Sequence, residues 1–181
     1  MSFRHLKRIT CSGNYSKRLL LASANKLLLN LEHIKVFNDE EELAKLVQRQ
    51  RKLKSLEITG CNKSGTCNII RALELRSSLI SLQLYDNVIG DMEAKFLANA
   101  LKLNTSLRTL NLRNNQLNET GILILAENMK FLTSLDLGKS KIGDEGATFL
   151  TPILVSSFTL RFLYLNDNMM EIQVQSRYLR L

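Results

Sequence analysis

Two cysteines frame the segment GCNKSGTC, from Cys61 to Cys67, where metal or phosphate chemistry would first be sought. A zinc site needs about four nitrogen or sulfur ligands, usually in closely spaced pairs. Here five residues separate the two cysteines and no second pair follows, so the spacing argues against zinc. A phosphate loop places its lysine directly after the second glycine, where the ammonium meets the phosphates. Lys63 instead precedes Ser64 and Gly65, so that reading fails as well. Of the two histidines, His5 and His33, the second falls on an expected strand and reads as a solvated surface side chain. No Ser, His and Asp set, paired carboxylates or dinucleotide fingerprint is present. The sequence therefore assigns no catalytic, cofactor-binding or metal-binding residue, and the chain is not expected to be an enzyme.

What organises these residues is a repeat. One nine-residue phrase recurs: apolar, two free positions, apolar, one free, apolar, two free, then Asn or a small polar residue. LRTLNLRNN (107–115), LRFLYLNDN (160–168), LISLQLYDN (79–87) and LTSLDLGKS (132–140) are the clearest copies. LKSLEITGC (53–61), LEHIKVFND (31–39) and LKRITCSGN (6–14) are looser. Starts at 6, 31, 53, 79, 107, 132 and 160 define about seven repeats in a single domain over 1–181.

The phrase has a physical meaning. Its fourth and sixth residues alternate with polar ones, which predicts a short strand with one buried face. Leu110, Leu112, Leu135, Leu137, Leu163 and Leu165 should be almost fully buried, with successive strands parallel. An Asn at the ninth position can bond backbone groups of neighbouring coils that would otherwise be buried unpaired. Asn14, Asn87, Asn115 and Asn168 fit that ladder, with Asp39, Cys61 and Ser140 as substitutes. Between strands, amphipathic helices are expected at 40–52, 68–78, 91–102, 119–130 and 144–154. Pro152 should kink or shorten the last of these, and the remainder of GCNKSGTC reads as a loop.

The segments DNVIGDMEAKFLANAL and KIGDEGATFL, with the recurring Asn and a period near 28, resemble the ribonuclease-inhibitor-type leucine-rich repeat. The resemblance covers nearly all of 6–170 and is tightest from 79 to 168. It implies an α/β solenoid, a right-handed horseshoe with a parallel concave sheet and convex helices, that binds other proteins. The same superfamily includes the Ran GTPase-activating protein, NOD-like receptors and F-box substrate adaptors. A GTPase-activating regulator of the Ran type and the substrate-recognition part of an F-box ubiquitin ligase are therefore the alternative functions. Asn111 and Arg113 lie on the kind of surface a Ran activator uses, but nothing aligns them with its functional positions, so that role is not carried over.

Free positions of the phrase form columns on the expected concave face. The third runs Arg8, His33, Ser55, Ser81, Thr109, Ser134, Phe162; the fifth runs Thr10, Lys35, Glu57, Gln83, Asn111, Asp136, Tyr164. The seventh runs Ser12, Phe37, Thr59, Tyr85, Arg113, Gly138, Asn166. Aromatic and arginine side chains dominate interface energetics. Phe37, Tyr85, Asn111, Arg113, Asp136, Phe162 and Tyr164 are therefore the expected partner-binding residues.

Charge bounds the partner. The net charge of +8 is concentrated at one end: no acid precedes Glu32, while Arg4, Lys7, Arg8, Lys17, Arg18 and Lys26 do. That end would favour an acidic partner surface or an anionic membrane, yet no basic-aromatic motif supports nucleic-acid binding. Compositionally it is also like a mitochondrial presequence, but the same residues obey the repeat, which weighs against removal. Three cysteines, an odd and sparse set, point to thiols in the cytoplasm or the nucleus. No apolar run approaches the ~18–20 residues that span a bilayer. The phrase at 160–168 is followed by apolar residues including Met169, Met170, Ile172 and Val174 but by no recognisable cap. The chain is thus expected either to be a fragment of a larger array or to be covered at its C-terminal end, by a partner or by self-association.

Overall fold

The computed structural model describes residues 6–12, 30–37, 41–73, 78–156 and 159–170. Seven short strands lie in chain order in one parallel sheet. They are β1 (Arg8–Ser12), β2 (His33–Phe37), β3 (Ser55–Thr59), β4 (Ser81–Gln83), β5 (Thr109–Asn111), β6 (Ser134–Asp136) and β7 (Phe162–Tyr164). Parallel neighbours need a crossover between them, and helices supply it. Helix α1 (Glu41–Arg49) follows β2, α2 (Lys63–Leu73) follows β3 and α3 (Asp91–Leu103) follows β4. Then α4 (Glu119–Ala126) follows β5 and α5 (Asp144–Ser156) follows β6. Each helix packs against the next, so the chain advances by stacked strand–helix coils.

The register reproduces the sequence columns. Ser81 pairs with Thr109, Thr109 with Ser134 and Ser134 with Phe162; two residues on, Gln83, Asn111, Asp136 and Tyr164 pair in the same way. A shift of one residue would turn each buried leucine to solvent, so the apolar pattern holds the register. Leu110, Leu112, Leu135 and Leu137 are at most 1% exposed. In the last coil Leu165 is buried as expected, at 8% exposure, but the expectation is wrong for Leu163, which is only half-buried. Among the described residues β7 pairs with β6 alone, so Leu163 lacks the cover that a coil on each side gives Leu110 and Leu135.

Polar side chains close the turns after the strands. The Asn115 amide nitrogen donates to the carbonyls of Leu84 and Leu112, both at 2.8 Å, and its oxygen accepts from the Ile89 N–H. Asn87, one coil before, and Asn168, two coils after, do the same, bonding Ile58 and Leu137. Cys61 takes an Asn position, and its backbone N–H is served by the Asn87 oxygen at 2.9 Å. Ser140 takes another, but its hydroxyl is buried without a hydrogen-bond partner. Asn14 and Asp39 lie outside the described residues. One position earlier the backbone is left-handed in five coils: Gly60, Asp86, Asn114, Lys139 and Asp167 have φ of 73°, 56°, 52°, 50° and 61°. Gly, Asp and Asn tolerate that conformation; a lysine there is strained.

Helix boundaries differ from the sequence reading where caps decide them. Helix α2 begins at Lys63, not 68, because the Asn62 side chain accepts from the Gly65 N–H and its carbonyl from Thr66. GCNKSGTC is therefore a helix entrance, and Cys67 sits inside the helix with its thiol directed to Glu93 at 3.6 Å. Helix α4 ends at Ala126 instead of 130, where Asn128 bonds back to the carbonyls of Leu125 and Ile124. Helix α5 continues past Pro152 to Ser156, so the proline does not shorten it. Ile172 and Val174, on which the expected C-terminal association rests, lie outside the described residues.

Candidate protein-binding face

The open side of the sheet carries the third, fifth and seventh columns. Toward the first strands the polar groups compensate one another. Lys35 Nζ lies 2.6 Å from Glu57 Oε1, and the Tyr85 hydroxyl donates to the same oxygen at 2.6 Å. The Lys35 ammonium also stands 5.2 Å from the centre of the Phe37 ring, within range of a cation–π contact. Partial burial opposes ionisation of Glu57, but the hydrogen bonds from Lys35 and Tyr85 outweigh it and hold its carboxyl below the ordinary range. The bond to Glu57 in turn pushes the Tyr85 hydroxyl up, with burial adding to it. Phe37 and Tyr85 are both half-buried. His33 lines a depression of about 250 Å³ with Arg8, Thr10 and Ser55.

Arg113 is also committed. Its guanidinium crosses the sixth coil to Asp167, Nη2 to Oδ2 at 2.9 Å. Gly138 makes the crossing possible: a Cβ there would stand 2.3 Å from Arg113 Nη1 and 3.1 Å from the Asn166 carbonyl. Asn111 and Asp136 shape their own turns, each accepting from a backbone N–H two residues on, Arg113 and Gly138, at 2.9 Å.

Phe162 and Tyr164 are different. They are 55% and 49% exposed, two residues apart on β7, and in register with Ser134 and Asp136. Two large rings side by side on one open face are aromatic groups of the kind enriched at protein interfaces. The sequence reading named all seven of these residues but could not separate the braced ones from the bare pair. It missed the second position of the phrase, which lines the edge of the sheet at the strand entrances. There the Glu32 carboxylate lies between Lys7 at 2.9 Å and Lys54 at 2.8 Å. Hydrogen bonds from Lys54 and Lys7 lower its carboxyl to about 2.

Residues 103–126 and 128–150 match the family model described as Leucine Rich repeat. With seven strands parallel and in chain order, that match decides the architecture. The fold is a leucine-rich-repeat α/β solenoid. Among solved structures it is similar to "Leiomodin-1 Actin-Binding Site 2 (ABS2)", with a TM-score of 0.62 and 20% identity over 76% of this chain and 82% of that one. An internalin from Listeria monocytogenes is similar over 82% of this chain and 43% of its own, at 20% identity and a TM-score of 0.47. No curated protein matches the sequence. Likeness at 20% identity carries the fold and nothing about the partner. Among the described residues no helix is long and apolar enough to cross a membrane.

Proposed function

We propose that this leucine-rich-repeat array is a non-catalytic scaffold that binds a protein partner through the open face of its sheet, in the cytoplasm or nucleus. The observation that carries the reading is the bare aromatic pair Phe162 and Tyr164, which projects from the end of a face whose Lys35, Tyr85 and Arg113 are held by ion pairs and hydrogen bonds. Aromatic anchors of this size supply much of the energy of a protein interface. Phe37, Tyr85, Asn111, Arg113 and Asp136 are expected to frame the contact in their braced positions, which limits the entropy lost on binding. The Asn ladder, the period and the IGDxGA helix start support placing the array in the ribonuclease-inhibitor type.

The test is affinity capture with the whole chain, followed by mass spectrometry, comparing the native protein with a Phe162→Ala/Tyr164→Ala variant. Proteins held by the native chain and lost from the variant are the expected result. Equal retention by both would count against the sheet face. Actin is a suitable first purified probe, since the leiomodin domain of similar fold is described as an actin-binding site.

A further inference from the structure

The second position of the phrase reads Lys7, Glu32, Lys54, Ile80, Arg108, Thr133 and Arg161 down the seven coils. The backbone stacks these residues directly. The Lys54 carbonyl accepts from Ile80 N–H, that of Ile80 from Arg108, that of Arg108 from Thr133 and that of Thr133 from Arg161. They form a single file along the strand entrances, at the edge of the open face. Lys7, Lys54, Arg108 and Arg161 are all exposed, and the one acid in the file, Glu32, is only 16% exposed between two lysines. None of the four lies in a helix of the described chain, so complementing a helix dipole does not explain them.

The spacing is regular. Basic residues occupy alternate coils, and strands lie about 4.8 Å apart, so successive cations are about 10 Å apart along a file of about 29 Å. Arg108 is partly preorganised, one terminal nitrogen donating to the carbonyls of Thr105 and Leu107 at 2.9 and 3.1 Å. A polyproline-II chain rises about 3.1 Å per residue with about three residues per turn, so carboxylates at every third residue share one face and meet the cations in step. Over the four middle coils the adjacent third column reads Ser55, Ser81, Thr109 and Ser134, all hydroxyls, with Arg8 and His33 before them and Phe162 after. Single-stranded nucleic acid would call for successive stacking rings in such a row, and the four middle coils carry none.

We propose that this edge is a docking stripe for an extended acidic segment of a protein, with carboxylates every third residue. It deepens the protein-binding reading but uses a different set of side chains. Complementary charge of this kind sets register and association rate more than raw affinity. Glu32 acts as a built-in competitor, occupying the first two lysines until the acidic chain displaces it.

The test uses the full chain and a labelled peptide of about four Glu-Pro-Pro repeats, long enough to cover the stripe as a polyproline-II helix. Fluorescence anisotropy at low salt should show binding that weakens as salt screens the contacts. The Lys54→Glu/Arg108→Glu protein, with its fold checked by circular dichroism, should bind at least about tenfold more weakly, while Glu32→Gln should bind about threefold more tightly. Phe162→Ala/Tyr164→Ala should leave peptide binding unchanged, so loss of this proposal would not remove the sheet-face reading. Absence of binding to the native chain, equal binding by the charge-reversed protein, or tighter charge-matched binding of a single-stranded oligonucleotide would overturn it.

Discussion

Arg113 and Asp167 meet across an intervening coil, guanidinium to carboxylate at 2.9 Å, over a glycine. The pair ties the fifth coil to the seventh, where neighbouring coils otherwise touch only their neighbours. A partly exposed ion pair contributes little by itself. Its consequence is geometric: it fixes Arg113 on the open face and brings Asp167 into the left-handed turn beside Asn168.

Gly138→Ala tests that geometry. The added methyl would overlap Arg113 Nη1 and crowd the Asn166 carbonyl. We expect a loss of about 1–2 kcal/mol in denaturant unfolding, while Asp167→Asn should cost less than about 1 kcal/mol. A neutral Gly138→Ala would mean that Arg113 rests elsewhere in solution.

Core leucines should differ by coil. Leu112→Ala, at a fully buried position, should cost ~2–5 kcal/mol. Leu163→Ala removes a half-buried side chain and should cost clearly less. Equal losses would indicate that the last coil is covered as fully as the fifth.

Lys139 holds a left-handed backbone that its counterparts meet with Gly, Asp or Asn. Lys139→Asn should therefore raise the unfolding free energy by about 0.5–1 kcal/mol. A destabilised variant would show that the lysine side chain contributes a contact outweighing the strain.

Glu32 should give the fold an acid-sensitive edge. Its carboxyl is held at about 2, below its ordinary value of 4.5, chiefly by hydrogen bonds from Lys54 and Lys7. A depressed pKa stabilises the folded state above the unfolded value, and that contribution is lost as pH falls from about 4.5 toward 2. Carboxyl NMR titration should place the Glu32 midpoint near 2 in the native chain and nearer the ordinary value in Lys54→Ala. An unchanged midpoint would exclude the pairing with Lys54.

Much of this was legible in the sequence, because the phrase has period two where it forms strands and one face must be buried. That fixed which of Leu110, Asn111 and Leu112 point inward, and hence the columns. Other features depend on groups far away in the chain. Nothing near Tyr85 announces its bond to Glu57, and nothing near Arg113 announces Asp167, 54 residues on. The cap at Asn62 was readable, yet the helix it starts carries Gly65, a poor helix former, in its first turn. The left-handed position was visible in Gly60, Asp86, Asn114 and Asp167 and hidden by Lys139. The basic file was written in the same phrase, at a position outside the face on which the sequence reading concentrated.

Oxidative footprinting of the captured complex tests the central claim most directly. Phe162 and Tyr164 lie on the open face, whereas Met92 is 59% exposed on helix α3. Binding through the sheet predicts that Phe162 and Tyr164 become protected when the partner is present, while oxidation of Met92 is unchanged. Protection of Met92, with Phe162 and Tyr164 oxidised as fast as in the free chain, would contradict it.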